Sequence, residues 1–184
     1  VQAGANGLTG EGILVGVVDF GVDYFHSDFR NEDGSSRILR LWDQSLDGKP
    51  PRGYVTGTEY TKEEIHKALA LGETEGRRLV VLHIEEAPVA RPLIPSRDFS
   101  GHGTAVLGIA AGNGRASGGV NRGVAYKSDL LVVKMGNARE NSFPRTTELM
   151  EGIDYLIRQA VKMGRPIAIN ISFGNNYGSH ELYN

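Results

Sequence analysis

The sequence predicts an α/β fold, a doubly wound, mostly parallel sheet with helices on both faces, and three observations carry that reading. Residues 13–18 and 130–133 are continuous apolar runs, the pattern of strands buried on both sides, and 167–172 reads as a further strand. Between them lie two helical stretches, one of small residues and one of clear 3.6 period, so the order is strand, helix, strand, helix, strand. Right-handed crossovers convert that order into three layers, α/β/α.

Ile13-Leu14-Val15-Gly16-Val17-Val18 follows the turn-like Thr9-Gly10-Glu11-Gly12 and reads as a central strand that ends at Asp19. Residues 104–111 alternate small and branched side chains between Gly103 and Gly112, which suits a short helix packed closely on a sheet, with His102 in its first turn. Leu130-Leu131-Val132-Val133 is the second strand. Leu149, Ile153, Leu156, Ile157 and Ala160 recur at helical spacing; Thr146 or Thr147 can cap that helix, Gly164 can end it and Pro166 keeps it ended. Ile167-Ala168-Ile169-Asn170-Ile171-Ser172 is the third strand.

Residues 22–100 interrupt this alternation with turn-rich pieces, Asp33-Gly34, Asp47-Gly48 and Lys49-Pro50-Pro51, and look like an insertion at about 30–98. Inside it, residues 37–42 alternate as a half-buried strand does, and Thr61-Lys62-Glu63-Glu64 is a capping box opening a helix to Leu71. Residues 78–84 read as a further strand, and 87–95, with three prolines, as loop.

Composition narrows the function classes. A chain of 184 residues with 40% hydrophobic content can bury a core, so one domain is expected. A net charge of −2 without a cluster of Lys and Arg leaves nothing to grip nucleic acid. The lack of cysteine excludes disulfides, zinc-thiolate sites and thiol nucleophiles. No basic-then-apolar leader opens the chain and no apolar run approaches the roughly 20 residues of a spanning helix, so a membrane partner is not expected.

Ligands bind beyond the carboxyl ends of the strands in an open parallel sheet. Asp19 and Ser172 both lie at such ends, and His102 opens a helix on the same edge, so three polar groups should converge there. The positive end of the helix dipole favours neutral imidazole, while a carboxylate opposite it stabilises the imidazolium once formed. Asp19 and His102 are thus the orienting acid and general base of a hydrolase triad, with no candidate nucleophile to complete them. Ser172 lacks a Gly-x-Ser-x-Gly elbow and suits substrate contact better than attack. His26, His66, His83 and His180 read as solvated or structural, and Asp23 and Asp28 as turn residues bonding backbone. Asp19-Phe20-Gly21 also spells the kinase metal-binding triplet, but the remaining kinase motifs are missing, and a magnesium phosphotransferase would leave the histidine idle.

Residues 17–29 (VVDFGVDYFHSDF) resemble the aspartate motif of subtilisin-like serine proteases, the subtilases of peptidase family S8, and residues 101–112 (GHGTAVLGIAAG) resemble their histidine motif. Ile169-Asn170-Ile171-Ser172-Phe173-Gly174 is similar to the family's substrate-pairing strand, and the insertion resembles the branch of clostridial and related bacterial subtilases that includes spore germination proteases. The resemblance implies a subtilisin-like fold, incomplete at the C-terminus, in which 1–184 is the N-terminal part of a catalytic domain. It further implies a serine endopeptidase with Asp19 and His102 as catalytic residues and Ser172, Phe173 and Gly174 as substrate-binding residues, acting on protein or peptide without a cofactor. The serine and the oxyanion asparagine would belong after residue 184, in a missing C-terminal part, so this chain alone should be inactive; an extracellular or spore-associated location is favoured. Some subtilases hold calcium through the aspartate that Asp28 matches and a loop after the histidine helix; here that loop, 113–121, lacks acidic side chains, so calcium stays possible and no metal is assigned. The family has Ser or Thr where this chain has Phe20; a lost hydroxyl hydrogen bond to the aspartate costs about 0.5–1.5 kcal/mol. The alternative is therefore an inactive subtilase-like scaffold that binds extended peptides.

Overall fold

Strand β1 (Leu14–Asp19) is buried along its whole length, which is why no polar side chain interrupts it before Asp19. The computed structural model describes residues 7–82, 93–136 and 146–172. In it β1 pairs in parallel with β4 (Asp129–Lys134) on one side and with β5 (Ile167–Ile171) on the other. Strand β4 pairs in parallel with β2 (Ile38–Asp43), and β2 pairs antiparallel with β3 (Thr58–Thr61), giving the order β3-β2-β4-β1-β5. The sheet is therefore mostly parallel, and the stretch read as an insertion contributes two of its strands.

Alternation along each strand separates two cores. Val15, Val17, Leu41, Leu130 and Val132 face Ile65 of helix α1 (Lys62–Leu82) and Leu107 of helix α2 (His102–Ala111). Leu14, Val18, Trp42, Leu131 and Val133 face Tyr155 and Leu156 of helix α3 (Thr146–Met163). Each fully buried aliphatic of this kind contributes roughly 1.5–3 kcal/mol. The second core is aromatic at its β2 end, where Trp42 packs 4.7 Å from the Tyr54 ring and 5.1 Å from Tyr155 and donates from Nε1 to Thr56 O at 3.1 Å.

The capping box closes as expected: Thr61 N–H donates to Glu64 Oε2 at 2.8 Å and Glu64 N–H to Thr61 Oγ1 at 3.3 Å. The helix it opens runs past Leu71 to Leu82, so the strand expected at 78–84 is instead helical over its described residues. A short apolar run fits either element, and with no proline between Thr61 and Leu82 the helix propagates through it. Strand β3 was not foreseen; it is four half-buried residues with no apolar alternation to announce it.

Parallel register sets the site. Asp19 of β1 is level with Lys134 of β4, which is level with Asp43 of β2, so three charged residues line the carboxyl edge of adjacent strands. Strand β5 pairs on its β1 side, and Ile171 at its end is 41% exposed.

Candidate active site

Asp19 leaves β1 nearly fully buried, and its carboxylate receives the Phe20 main-chain N–H on Oδ1 at 2.8 Å. His102 is the first residue of α2, entered through Gly101 in the left-handed region at φ 75°. Its Nδ1 lies 3.0 Å from both Asp19 oxygens. The acid side chain is 1% exposed and the imidazole 48% exposed, so one partner is locked in the protein while the other meets solvent.

Two glycines allow that approach. A Cβ on Gly103 would stand 1.9 Å from the carbonyl oxygen of Gly21 and 3.0 Å from Asp19 Oδ1, so any side chain would push α2 off β1. Gly21 itself has φ 137°, and a Cβ there would strike Arg97 O at 2.5 Å.

The hydrogen bond to Asp19, that carboxylate's charge and the more distant charge of Asp98 raise the His102 pKa above its ordinary value. The carboxylate thus favours the imidazolium, as read from the sequence, and outweighs the desolvation that opposes it. Phe20, the departure from the family pattern, places no hydroxyl beside Asp19, but its main-chain N–H supplies a donor.

Several groups here escaped the sequence reading. Asp98 accepts on Oδ1 from the N–H groups of Ser100 (3.1 Å) and Gly101 (2.8 Å), and on Oδ2 from the N–H (2.9 Å) and hydroxyl (2.6 Å) of Thr104. Those bonds hold its carboxyl below the ordinary range although burial pushes the other way. An acidic residue just ahead of a helix is a capping signal, and it was available in the sequence. Lys134 and Asp43 form a second ion pair at 3.5 Å, with the ammonium 5.2 Å from the Phe99 ring.

Ser172 follows β5 and its Oγ accepts from Asn170 Nδ2 at 2.9 Å; Phe173 and Gly174 lie outside the described residues, as do His83 and His180. His26 accepts the Asp28 N–H on Nδ1 at 3.3 Å and caps a short turn, while His66 is exposed. Asp23 accepts the Phe25 N–H at 2.9 Å, the turn role expected of it. Asp28 Oδ1 accepts the Ala116 N–H at 2.7 Å, and the neighbouring Arg115 guanidinium donates to the carbonyls of Asn31 and Glu32. A calcium ion needs oxygen donors, and here an amide occupies Asp28 Oδ1 and a guanidinium the Asn31 and Glu32 carbonyls. Among the described residues no helix is long and apolar enough to cross a membrane.

A family model described as the Subtilase family matches residues 10–182. The chain belongs to the subtilase family. A solved relative of this subtilase, the CspB protease of Clostridium perfringens, is 34% identical and superposes with a TM-score of 0.71, covering 94% of this chain and 31% of that one. The major intracellular serine protease of Bacillus subtilis (strain 168) is 26% identical over 178 residues, 97% of this chain and 39% of that protein. The subtilase chain thus spans about two fifths of that curated relative. The name of that relative places it inside the cell, which overturns the expectation of an extracellular or spore-associated location.

Proposed function

We propose that this subtilase chain is the N-terminal part of the catalytic domain of a serine endopeptidase, in which Asp19 orients and charges His102 and His102 is the general base and acid. The observation that carries the reading is the double contact of His102 Nδ1 with both oxygens of a buried Asp19, at 3.0 Å each. A proton held on Nδ1 by that carboxylate leaves the Nε2 lone pair to take a proton from an attacking hydroxyl. As the hydroxyl attacks a peptide carbonyl, the proton moves to Nε2, Asp19 stabilises the imidazolium, and the same proton then passes to the leaving amine as the acyl-enzyme forms. Water, deprotonated by His102 in turn, releases the acid and restores the hydroxyl.

The serine that supplies the hydroxyl and the asparagine of the oxyanion hole are assigned to sequence outside this chain, so the chain alone is inactive in this reading. Protein or peptide segments are the substrate, held in extended form by Ser172, Phe173 and Gly174 through strand addition, with no cofactor in the chemistry. Residues of about 30–98 elaborate the domain, giving β2, β3 and α1.

In the longer protein containing these residues, peptide hydrolysis and fluorophosphonate labelling should both be present, and both should be lost in His102→Ala. The rival, a subtilase-like scaffold that grips extended peptides without cutting, draws on Phe20 beside Asp19. Peptide binding that persists in a wild-type protein with neither hydrolysis nor labelling would establish that rival.

A further inference from the structure

We propose that Asp98 is a positioning residue for His102, acting through Thr104 to fasten the first turn of α2 to the turn that follows Asp19; this rests on the dyad reading above. The residue at the N-cap position of α2 is Gly101, which has no side chain to satisfy the first helical N–H groups. Asp98 does so from outside the helix, taking both the N–H and the hydroxyl of Thr104 on Oδ2. A threonine hydroxyl has a single proton. Because that proton goes to Asp98, the oxygen lone pairs are left to accept, and they take the N–H of Asp23 at 2.8 Å. Asp23 stands four residues beyond Asp19. A relay from Asp98 through Thr104 to Asp23 therefore ties the segment entering His102 to the segment leaving Asp19, independently of the contact between the two side chains. Ser100 adds to it by accepting the His102 N–H on Oγ at 3.1 Å.

Charge is the second effect. Asp19 from β1 and Asp98 from the loop before α2 both favour the imidazolium of His102. On β4 the level position is held by Lys134, whose ammonium is engaged by Asp43 and the Phe99 ring.

The two effects separate by substitution in the longer protein. Thr104→Val breaks the bond to Asp23 but keeps the charge of Asp98; kcat should fall about tenfold with KM little changed and the acid limb of the pH profile in place. Thr104→Ser, which keeps the hydroxyl, should restore kcat. Asp98→Asn should lower kcat similarly and also move the acid limb to lower pH, because a charge favouring the imidazolium is gone. Where hydrolysis is too slow to follow, NMR titration of His102 gives the same reading: a lower pKa in Asp98→Asn and none in Thr104→Val. If both variants only lower the melting temperature, leaving kcat and the His102 titration as in wild type, Asp98 is a helix cap and the proposal is wrong. Wild-type activity in His102→Ala would instead overturn the dyad reading itself.

Discussion

Two acid–base pairs share the carboxyl edge of this sheet, at one register level on adjacent strands, and they are built for opposite ends. Asp19 and His102 form the first, a buried acid against a half-exposed base in contact with both its oxygens. Asp43 and Lys134 form the second, 0% and 6% exposed and 3.5 Å apart, with Asp43 Oδ2 receiving no hydrogen bond. Asp43 Oδ1 does accept from the main chain and hydroxyl of Ser45. The difference teaches that burial of one carboxylate is shared; what sets the first pair apart is that its basic partner reaches solvent, as the proposed proton transfer requires. A pair closed on both sides can only hold a fixed charge, at a desolvation penalty that its attraction must offset.

The contrast is broken most severely at His102. In the longer protein, His102→Ala should reduce kcat roughly 10⁴-fold or more; a loss under tenfold would remove the distinction between the pairs. Lys134→Met should do the reverse, stranding Asp43 as an uncompensated buried charge and destabilising the fold by about 3–5 kcal/mol in urea titration. Adding Asp43→Asn should recover most of that stability, and failure of the double variant to recover would show that Lys134 matters by its shape. Gly103→Ala tests the spacing of the open pair: relief of the clash with Gly21 O should cost about 1–3 kcal/mol, with hydrolysis falling further than stability.

The smallest effect is in pH. The raised His102 pKa means that activity, which needs neutral imidazole, should have its acid limb above the ordinary histidine midpoint. The stability from the charged pair follows the opposite sign, being fully present below the unfolded histidine pKa and lost as pH rises through the folded one. Asp19→Asn should lower the midpoint of the acid limb, and a limb that stayed in place would assign it to another group.

Much of this arrangement was legible in the chain. Strands β1 and β4 announce themselves because burial on both faces leaves their interiors apolar, β5 by its three isoleucines although it is only partly buried and carries Asn170, and α3 because one apolar stripe recurs at helical period. Asp19 and His102 were legible because each terminates or opens such an element. Strand β3 was hidden by its half-buried, polar sequence, which gains its place from pairing with β2 and from the long-range contacts of Glu59 and Tyr60. The far half of α1 was misread since Leu79 to Leu82 satisfies strand and helix patterns alike, and only continuity with the capped first turn decides. The Asp43 and Lys134 pair depends on register between strands more than 80 residues apart, which no local pattern encodes. Asp98 lies outside the periodic part of α2, so a search keyed to period passes it by.

Gly103 stands in main-chain contact with Gly21 in the turn after β1, so the gap across which Asp19 meets His102 is a ruler set at this point by peptide groups. Substitution can lengthen that ruler but has nothing left to trim. Drift at either glycine consequently acts in one direction, toward a longer and weaker contact.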